Sequence, residues 1–316
     1  MKQVSFISNT ASLDPLAPGL QVFERGWLSA NNILLMDEES AVLIDSGYVS
    51  HAPQTLALVQ TALNGRRLDY LLNTHLHSDH CGGNHALQNA YADLQTWIPP
   101  GHASAVAQWD DAALSYAPTG QECPRFDFQR ILKPGTDIRL AGVTWEIHAA
   151  PGHDPHSVIL FERDERILIS ADALWENGFG VVFPELEGVT AFHEVAQTLD
   201  LIETLNPSLV IPGHGAPFRD CAKALAFARQ KLTAFTQHPE KHARYGAKVL
   251  IKFKLLEWHQ IEKSTFVDWA ENNQYLRLLH EAHAIGQPYA EWLDMILAEL
   301  IKSKALEIDE SVLRNI

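Results

Sequence analysis

Cysteine and methionine are scarce in this chain of 316 residues, with three of each. Cys81, Cys123 and Cys221 lie far apart, which argues against a disulfide framework and favours a reducing compartment, so we expect a cytoplasmic protein. No apolar run approaches the roughly 20 residues that span a bilayer, so we expect no membrane partner. The opening residues, Met1 to Phe6, do not resemble a signal peptide, and we expect none.

Positive charge is also in short supply. Lysine and arginine number 24 against 39 acidic residues, for a net charge of −15. Phosphate backbones bind basic surfaces, so nucleic acid is a poor candidate partner and a small-molecule substrate is expected. The cluster of Lys248, Lys252 and Lys254 is more typical of a solvated helix face than of a binding patch. The oligomeric state stays open, and a homodimer is compatible with the sequence.

The order of hydrophobic patterns predicts an α+β fold. Strands are expected over 20–46, 68–74, 137–170 and 208–211, and helices over 53–63, 84–91 and 190–205. The chain therefore contains the same arrangement twice: several strands, then a helix, then one further strand. This repetition predicts two sheets, each covered by helices on one face.

The pattern changes near residue 220, after which helical periodicity dominates. Helices are predicted over 243–258, 266–283 and 289–301, with a short strand over 305–308. We therefore expect a catalytic domain over 1–220 and a helical domain over 221–316. The second unit is either a winged-helix-like appendage or a helical cap on the core. An irregular aromatic segment over 109–128 is a candidate lid for an apolar pocket.

A dense histidine cluster is the most informative part of the chain. His75, His77, Asp79 and His80 lie within six residues, directly after an apolar strand. Alternate side chains from one short turn point in two directions. The spacing therefore predicts metal ligands that are divided between two metal positions.

Three further ionisable residues each follow an apolar strand: His153, Asp172 and His214. Glycines next to His153 and His214 permit close approach of the backbone. Seven nitrogen and carboxylate ligands suit two zinc ions, with iron or manganese as alternatives. One carboxylate is expected to lie between the two metals.

With these motifs the sequence resembles the metallo-β-lactamase superfamily over about residues 20 to 220, closest to its glyoxalase II, thioesterase and lactonase branch. The resemblance implies an αββα sandwich with the metals at one edge. It implies that His75, His77 and His153 hold the first metal, and that Asp172 bridges. It assigns the second metal to Asp79, His80 and His214. Asp45, in the run Ile44-Asp45-Ser46-Gly47, would orient the ligand turn by hydrogen bonding.

The resemblance also implies a reaction: a dinuclear zinc-dependent hydrolase in which a metal-bridging hydroxide cleaves a thioester, ester or lactone. Asp79 is the candidate that accepts a proton from the bridging water. Members that reduce oxygen at two irons carry glutamate at the position of His77, and the best-known zinc β-lactamases carry cysteine at that of Asp172, so both activities are disfavoured. Phosphodiester hydrolysis, sulfur oxidation at a single iron and a non-catalytic binding module are the alternatives.

Residues outside the ligand set are candidates for the substrate pocket. Branch members often read Gly-His-Thr-Pro-Gly-His where this chain reads Gly-His-Asp-Pro-His-Ser over 152–157. His156 is thus either a substrate contact or a structural turn residue. The candidates that follow Asp172 are either pocket wall or ordinary core: Trp175, Asn177, Phe179 and Phe183.

Overall fold

Two β-sheets face each other in the computed structural model, which describes residues 19–316. The first sheet contains, in spatial order, β1 (Leu20–Phe23), β2 (Asn32–Met36), β3 (Ala41–Ile44), β4 (Tyr70–Leu72), β5 (Gln95–Ile98) and β6 (Arg130–Ile131). The second contains β7 (Thr136–Leu140), β8 (Val143–Ala149), β9 (Val158–Glu162), β10 (Ile167–Ala171) and β11 (Leu209–Pro212), again in spatial order. β3 to β6 run parallel, as do β10 and β11.

The main core lies between the two sheets. Ile33 and Leu35 of β2 point into it, where Trp145 and Ile169 of the second sheet are also buried. Leu34, between them, belongs to a different cluster on the outer face. This alternation is the period of two that strands impose. Because both faces of β2 are covered, its residues from Ile33 to Met36 are all apolar.

Helices cover the outer face of each sheet. On the first lie α1 (Ala52–Leu63) and α3 (Asn84–Ala90). On the second lie α7 (Phe192–Leu205) and α8 (Cys221–Gln237). The predicted αββα sandwich is therefore confirmed. Because α8 shares the core of the second sheet, a division based on packing would fall after Gln237 rather than near 220, and we propose that position.

The remaining chain carries four helices and a small sheet. These are α9 (Pro239–Trp258), β12 (Gln260–Glu262), α10 (Lys263–Asn272), α11 (Gln274–His283), α12 (Tyr289–Lys302), β13 (Leu306–Asp309) and β14 (Val312–Asn315). The helix predicted over 266–283 is in fact two helices. Asn273 separates them, because its side chain accepts a hydrogen bond from the backbone N–H of Leu276 and so begins a new helix. The predicted C-terminal helices are confirmed, and the winged-helix-like arrangement stays a prediction.

Short helices complete the described chain: α2 (Ser78–Cys81), α4 (Ala103–Gln108), α5 (Tyr116–Thr119) and α6 (Phe183–Leu186). None of the helices described here combines the length and apolarity needed to cross a membrane. The three cysteines, all of which fall within residues 19–316, are free thiols. The residues used to predict the absence of a signal peptide, Met1 to Phe6, lie outside the described residues.

The carboxyl ends of several strands meet at one edge of the sandwich. Asp45 directly follows β3, and Asp172 directly follows β10. His214 comes two residues after β11, and His153 comes four residues after β8. Strands that run in the same direction deliver their following residues to the same edge. This topology explains how Asp45 and His214, which are 169 positions apart, come together.

Candidate metal centre

Three imidazole nitrogens form a triangle at this edge. His77 Nδ1 lies 2.8 Å from His153 Nε2 and 3.1 Å from His75 Nε2. The third side, between Nε2 of His153 and Nε2 of His75, is 3.2 Å. The structure thus brings together the three histidines expected around the first metal.

This triangle fits a metal ion better than a set of hydrogen bonds. A neutral imidazole has one donor and one acceptor nitrogen, so three nitrogens that face one another cannot all be paired. A tetrahedral zinc ion with Zn–N bonds of about 2.0–2.1 Å would separate its nitrogen ligands by about 3.3 Å. The observed sides of 2.8–3.2 Å are close to that spacing.

A second group lies beside the first. Asp79, His80 and His214 each offer a ligand atom, and these atoms lie within 4.8 Å of one another. His214 Nε2 is 3.0 Å from Asp79 Oδ2. His80 Nε2 is completely buried and has no hydrogen-bond partner among residues 19–316. A buried nitrogen without a partner is costly, and a cation at this position would satisfy it.

Asp172 lies between the two groups. Its Oδ2 is 3.4 Å from His153 Nε2 and 3.8 Å from His214 Nε2, and its Oδ1 is 3.4 Å from His80 Nε2. Trp175 also donates its indole N–H to Oδ1, at 3.2 Å. One carboxylate therefore faces both groups, as a bridging ligand must.

The electrostatics of the first group suit a cation. Burial, with the neighbouring His80, holds the pKa of His75 well below its usual range. Burial also lowers the pKa of His153, and it lowers that of His77 to about 4. Neutral imidazoles present lone pairs, which is the form that binds metal.

The second group carries negative charge. Burial acts to raise the pKa of Asp172, but His214 and His80 outweigh it and hold that pKa well below the usual range. The pKa of Asp79 is lowered in the same way, with His80 and His214 outweighing burial. Both side chains are therefore carboxylates at neutral pH, which is the form that coordinates metal.

The Asp45 carboxylate contacts His80 of the second group at Nδ1, the ring nitrogen that does not face the other ligands. Its Oδ2 lies 2.8 Å from His80 Nδ1, and its Oδ1 accepts the backbone N–H of Thr74 at 2.9 Å. The Thr74 hydroxyl donates to Oδ2 at 2.8 Å. One buried carboxylate thus connects both ends of the turn that carries the histidine cluster, at the position expected of it.

Asn31, which the sequence did not single out, positions the loop of His214. Its side-chain amide donates to the carbonyls of Pro212 and Gly215, and its backbone N–H donates to Gly213. Ala30 next to it donates its N–H to the carbonyl of Asp79. The segment between β1 and β2 therefore holds two members of the second group. No local pattern marks it, because its partners lie up to 184 positions away.

Two glycines are required by close packing at the centre. A Cβ on Gly213 would lie 2.2 Å from Asp172 Oδ1, and one on Gly180 would lie 2.4 Å from His153 Nδ1. Neither space accommodates a methyl group. Gly213, the glycine before His214, therefore permits the close approach of the backbone that was expected from the sequence.

A cavity of about 410 Å³ opens beside the centre. Trp175 and Phe183 line it, as two of the pocket candidates should. Trp27, which the sequence reasoning missed, lines it too and stacks on His214 with ring centroids 5.3 Å apart. Trp27 is 59% exposed, so this stack lies at the mouth of the cavity.

The other pocket candidates lie elsewhere. The backbone N–H of His156 bonds to Asp154 Oδ1 at 2.8 Å, and its ring packs on His102, 4.7 Å away, so it is a turn residue. Asn177 is exposed at the tip of a turn closed by Trp175 and Gly178. Phe179 is buried in the core of the second sheet. These three side chains are not part of the cavity wall.

The lid prediction is also wrong for the aromatic residues of 109–128. Trp109, Tyr116 and Phe126 pack with Leu76 in a separate cluster, because the segment folds back onto the first sheet. Of this segment only Gln121 reaches the cavity. Residues of α9 line the cavity instead, so the C-terminal region forms part of the cavity wall.

Comparison with known proteins agrees with this geometry. The model of the family described as the metallo-beta-lactamase superfamily matches residues 25–214. The beta-lactamase-like protein 2 homolog of Caenorhabditis elegans is 25% identical over 248 residues, 76% of this chain and 72% of that protein. The hydroxyacylglutathione hydrolase of Anaeromyxobacter dehalogenans is 28% identical over 229 residues, 72% of this chain and 78% of that one.

A third relative is named for a different reaction. The human mitochondrial persulfide dioxygenase ETHE1 is 28% identical over 184 residues, 57% of this chain and 62% of that protein. Among solved structures, a beta-lactamase domain protein from Burkholderia ambifaria is 21% identical and superposes with a TM-score of 0.59. That match covers 95% of this chain and 93% of the other, and it shows that the two share a fold.

Proposed function

This chain belongs to the metallo-beta-lactamase superfamily, and we propose that it hydrolyses a thioester, ester or lactone of a small molecule at a dinuclear zinc centre. The broader prediction, a metal-dependent hydrolase of this superfamily, is confirmed by the family match and by relatives such as the hydroxyacylglutathione hydrolase. The number of metals, their identity and the substrate class are the proposal.

The observation that carries the proposal is the position of Asp172 between two ligand groups. In our assignment His75, His77 and His153 hold the first metal. The second metal is held by Asp79, His80 and His214. Four imidazole or carboxylate donors per metal, with Asp172 counted for each, match the coordination that zinc prefers.

Two divalent cations bound here would lower the pKa of water and polarise a carbonyl oxygen. The proton transfer is carried out by a residue of the chain itself. Asp79, kept as a carboxylate by His80 and His214, can accept the proton that water releases. The water oxygen then bonds to the acyl carbon, the carbon–sulfur or carbon–oxygen bond breaks, and the thiol or alcohol leaves with a proton.

Trp27 and Trp175 restrict access to the reacting atoms. Trp27 stacks on His214, and the ring centroid of Trp175 lies 5.3 Å from that of Trp27 and 5.4 Å from that of His214. These indoles cover one side of the second group with apolar surface. Because the indoles exclude water from that side, the electrostatic interactions of the bound substrate become stronger.

The test is a substrate panel with zinc-loaded protein: thioesters, lactones and an activated phosphodiester. We expect thioester or lactone hydrolysis that a chelator abolishes. Asp172→Ala should reduce it to background, whereas Asp200→Ala, which alters an exposed surface ion pair, should not. Hydrolysis of the phosphodiester alone would replace this proposal with the phosphodiesterase alternative, which the predicted winged-helix-like arrangement favours and the net charge of −15 opposes.

Sulfur oxidation at a single iron is the second candidate, and the persulfide dioxygenase relative favours it. Such an enzyme would use only part of the ligand set, whereas this chain carries candidate ligands for a second metal as well. Elemental analysis with oxygen-consumption measurements separates the two. One iron per chain and oxygen uptake with a persulfide would establish the dioxygenase.

A further inference from the structure

The helix α9 presents a continuous apolar face to the cavity. Tyr245, Val249, Phe253 and Leu256 are spaced by four, four and three residues, so they lie on one side of the helix, and all four line the cavity. Leu300 of α12 adds to the same wall. The surface that α9 gives the cavity is therefore mostly hydrocarbon and aromatic, with Lys248 and Lys252 as its charged members.

The lining is also apolar where it meets the candidate metal ligands. The ring of Phe183 lies 4.6 Å from that of His77 and 5.7 Å from that of His153, measured between centroids. Phe183 and Val181 line the cavity and belong to the same hydrophobic cluster as Val249 of α9. A carbonyl group placed at the metal centre would therefore have a mostly apolar surface beside one of its substituents.

The two lysines that line this space already have partners. Lys252 Nζ donates to three oxygens, those of Ala305 and Ile316 and the side chain of Asn315. Lys248 Nζ pairs with Glu299 at 3.0 Å. Within residues 19–316 these are the cations of the cavity lining.

Two neutral polar side chains of the lining, Ser303 and Gln121, are engaged as well. The Ser303 hydroxyl donates to the carbonyl of Leu300 at 3.0 Å, and Gln121 Oε1 accepts a hydrogen bond from Ser78. A hydroxyl or charge on the substrate would lose its water here and find few partners, which is unfavourable.

We propose that the cavity binds a straight-chain apolar acyl group of the substrate, and that Val249 and its neighbours on α9 set the length of chain accepted. This inference rests on the proposed function, because the metal centre places the scissile carbonyl. The volume of about 410 Å³ falls within the range of small-molecule pockets. Selectivity for the acyl group thus resides in the C-terminal region and chemistry in the sandwich.

The first experiment measures kcat/KM of zinc-loaded protein for thioesters of one thiol with acetyl, butyryl, hexanoyl, octanoyl and decanoyl groups. Each buried methylene should increase kcat/KM about fourfold until the cavity is full. A flat profile, or a preference for a short hydroxyacyl group over its alkyl counterpart, would overturn the inference.

The second experiment narrows the cavity. Val249→Trp should reduce kcat/KM for the octanoyl thioester by at least about tenfold while leaving the acetyl thioester within about twofold. Ile285→Trp introduces the same side chain at a position that is 89% exposed and should change neither value. Equal losses on short and long substrates in Val249→Trp would contradict a role in chain-length selection.

A binding measurement separates the two levels of the proposal. Octanoate should bind the wild-type protein at least about tenfold more tightly than butyrate, and Val249→Trp should remove that difference. If octanoate behaves so but no acyl substrate is hydrolysed, the proposed hydrolase function fails and the apolar site stands. If thioesters are hydrolysed without regard to chain length and octanoate binds no better than butyrate, the hydrolase stands and this inference fails.

Discussion

His153 and His242 hydrogen-bond to opposite ends of one peptide group. His153 Nδ1 donates to the carbonyl of Val181, and the N–H of Val182 donates to Nε2 of His242 at 3.1 Å. Because a carbonyl only accepts and an N–H only donates, His153 carries its proton on Nδ1 and keeps Nε2 free for metal. Helix α9 thereby holds the loop segment before α6, which in turn fixes a candidate metal ligand.

The hydrogen bond to His242 should contribute measurably to stability. His242→Phe would leave the buried N–H of Val182 unpaired, at a cost of about 1–3 kcal/mol in the free energy of unfolding. His242→Gln retains an acceptor and should lose less. Urea unfolding of the three proteins checks this, and equal stability of the Phe and Gln variants would contradict it.

His242 should also make stability depend on pH. Burial, with the charge of Lys231, lowers the pKa of His242 to about 3, below its ordinary value of 6.5. Between these values the unfolded chain binds a proton that the folded protein does not, so stability falls as pH falls below 6.5. From pH 8 to pH 5 the wild type should lose roughly 2 kcal/mol more than His242→Gln. Parallel losses in urea titrations would show that His242 does not titrate in this way.

Asp45 should control affinity at the second metal. Asp45 has a left-handed backbone (φ 58°), which asparagine tolerates, so Asp45→Asn removes the charge facing His80 without new strain. Loss of such a supporting carboxylate typically weakens metal binding by about 10–100-fold. Competition with a zinc chelator should show one weakened site and one unchanged. Two unchanged sites would rule out the role assigned to Asp45.

Gly213 should tolerate no side chain. In Gly213→Ala the new methyl group would lie 2.2 Å from Asp172 Oδ1, so the carboxylate must move away from its position between the ligand groups. We expect loss of activity and of at least one zinc. Gly26→Ala is the matched control, because a Cβ there meets no atom of the described chain within 4 Å. Full metal content in Gly213→Ala would contradict the position given to Asp172.

Much of the site could be predicted from sequence because its ligands follow strands. Asp172 comes directly after an apolar strand and His75 comes three residues after one, and strand direction brings such positions to one edge. The ligand types then indicate metal. Most of the sandwich follows from the same local patterns, since periodicity identifies the central strands and the helices α1, α3 and α7. The short strands β5 and β6 and the helix α8 were not among the predicted elements.

The features that were missed depend on contacts distant in sequence. Asn31 acts through carbonyls near residue 214, and Trp27 is recognisable only once it stacks on His214. His156 and Asn177 were placed in the pocket because they are near ligands in sequence, but turns direct both away from the cavity. The α9 wall was missed because a helix face that lines a pocket has the same pattern as one that packs in a core.

The most direct test of the account is the ratio of zinc to protein in fully loaded, desalted enzyme, measured by elemental analysis. The two complete ligand groups around Asp172 predict two zinc ions per chain. A ratio of one, or a single iron in place of zinc, would contradict the dinuclear hydrolase.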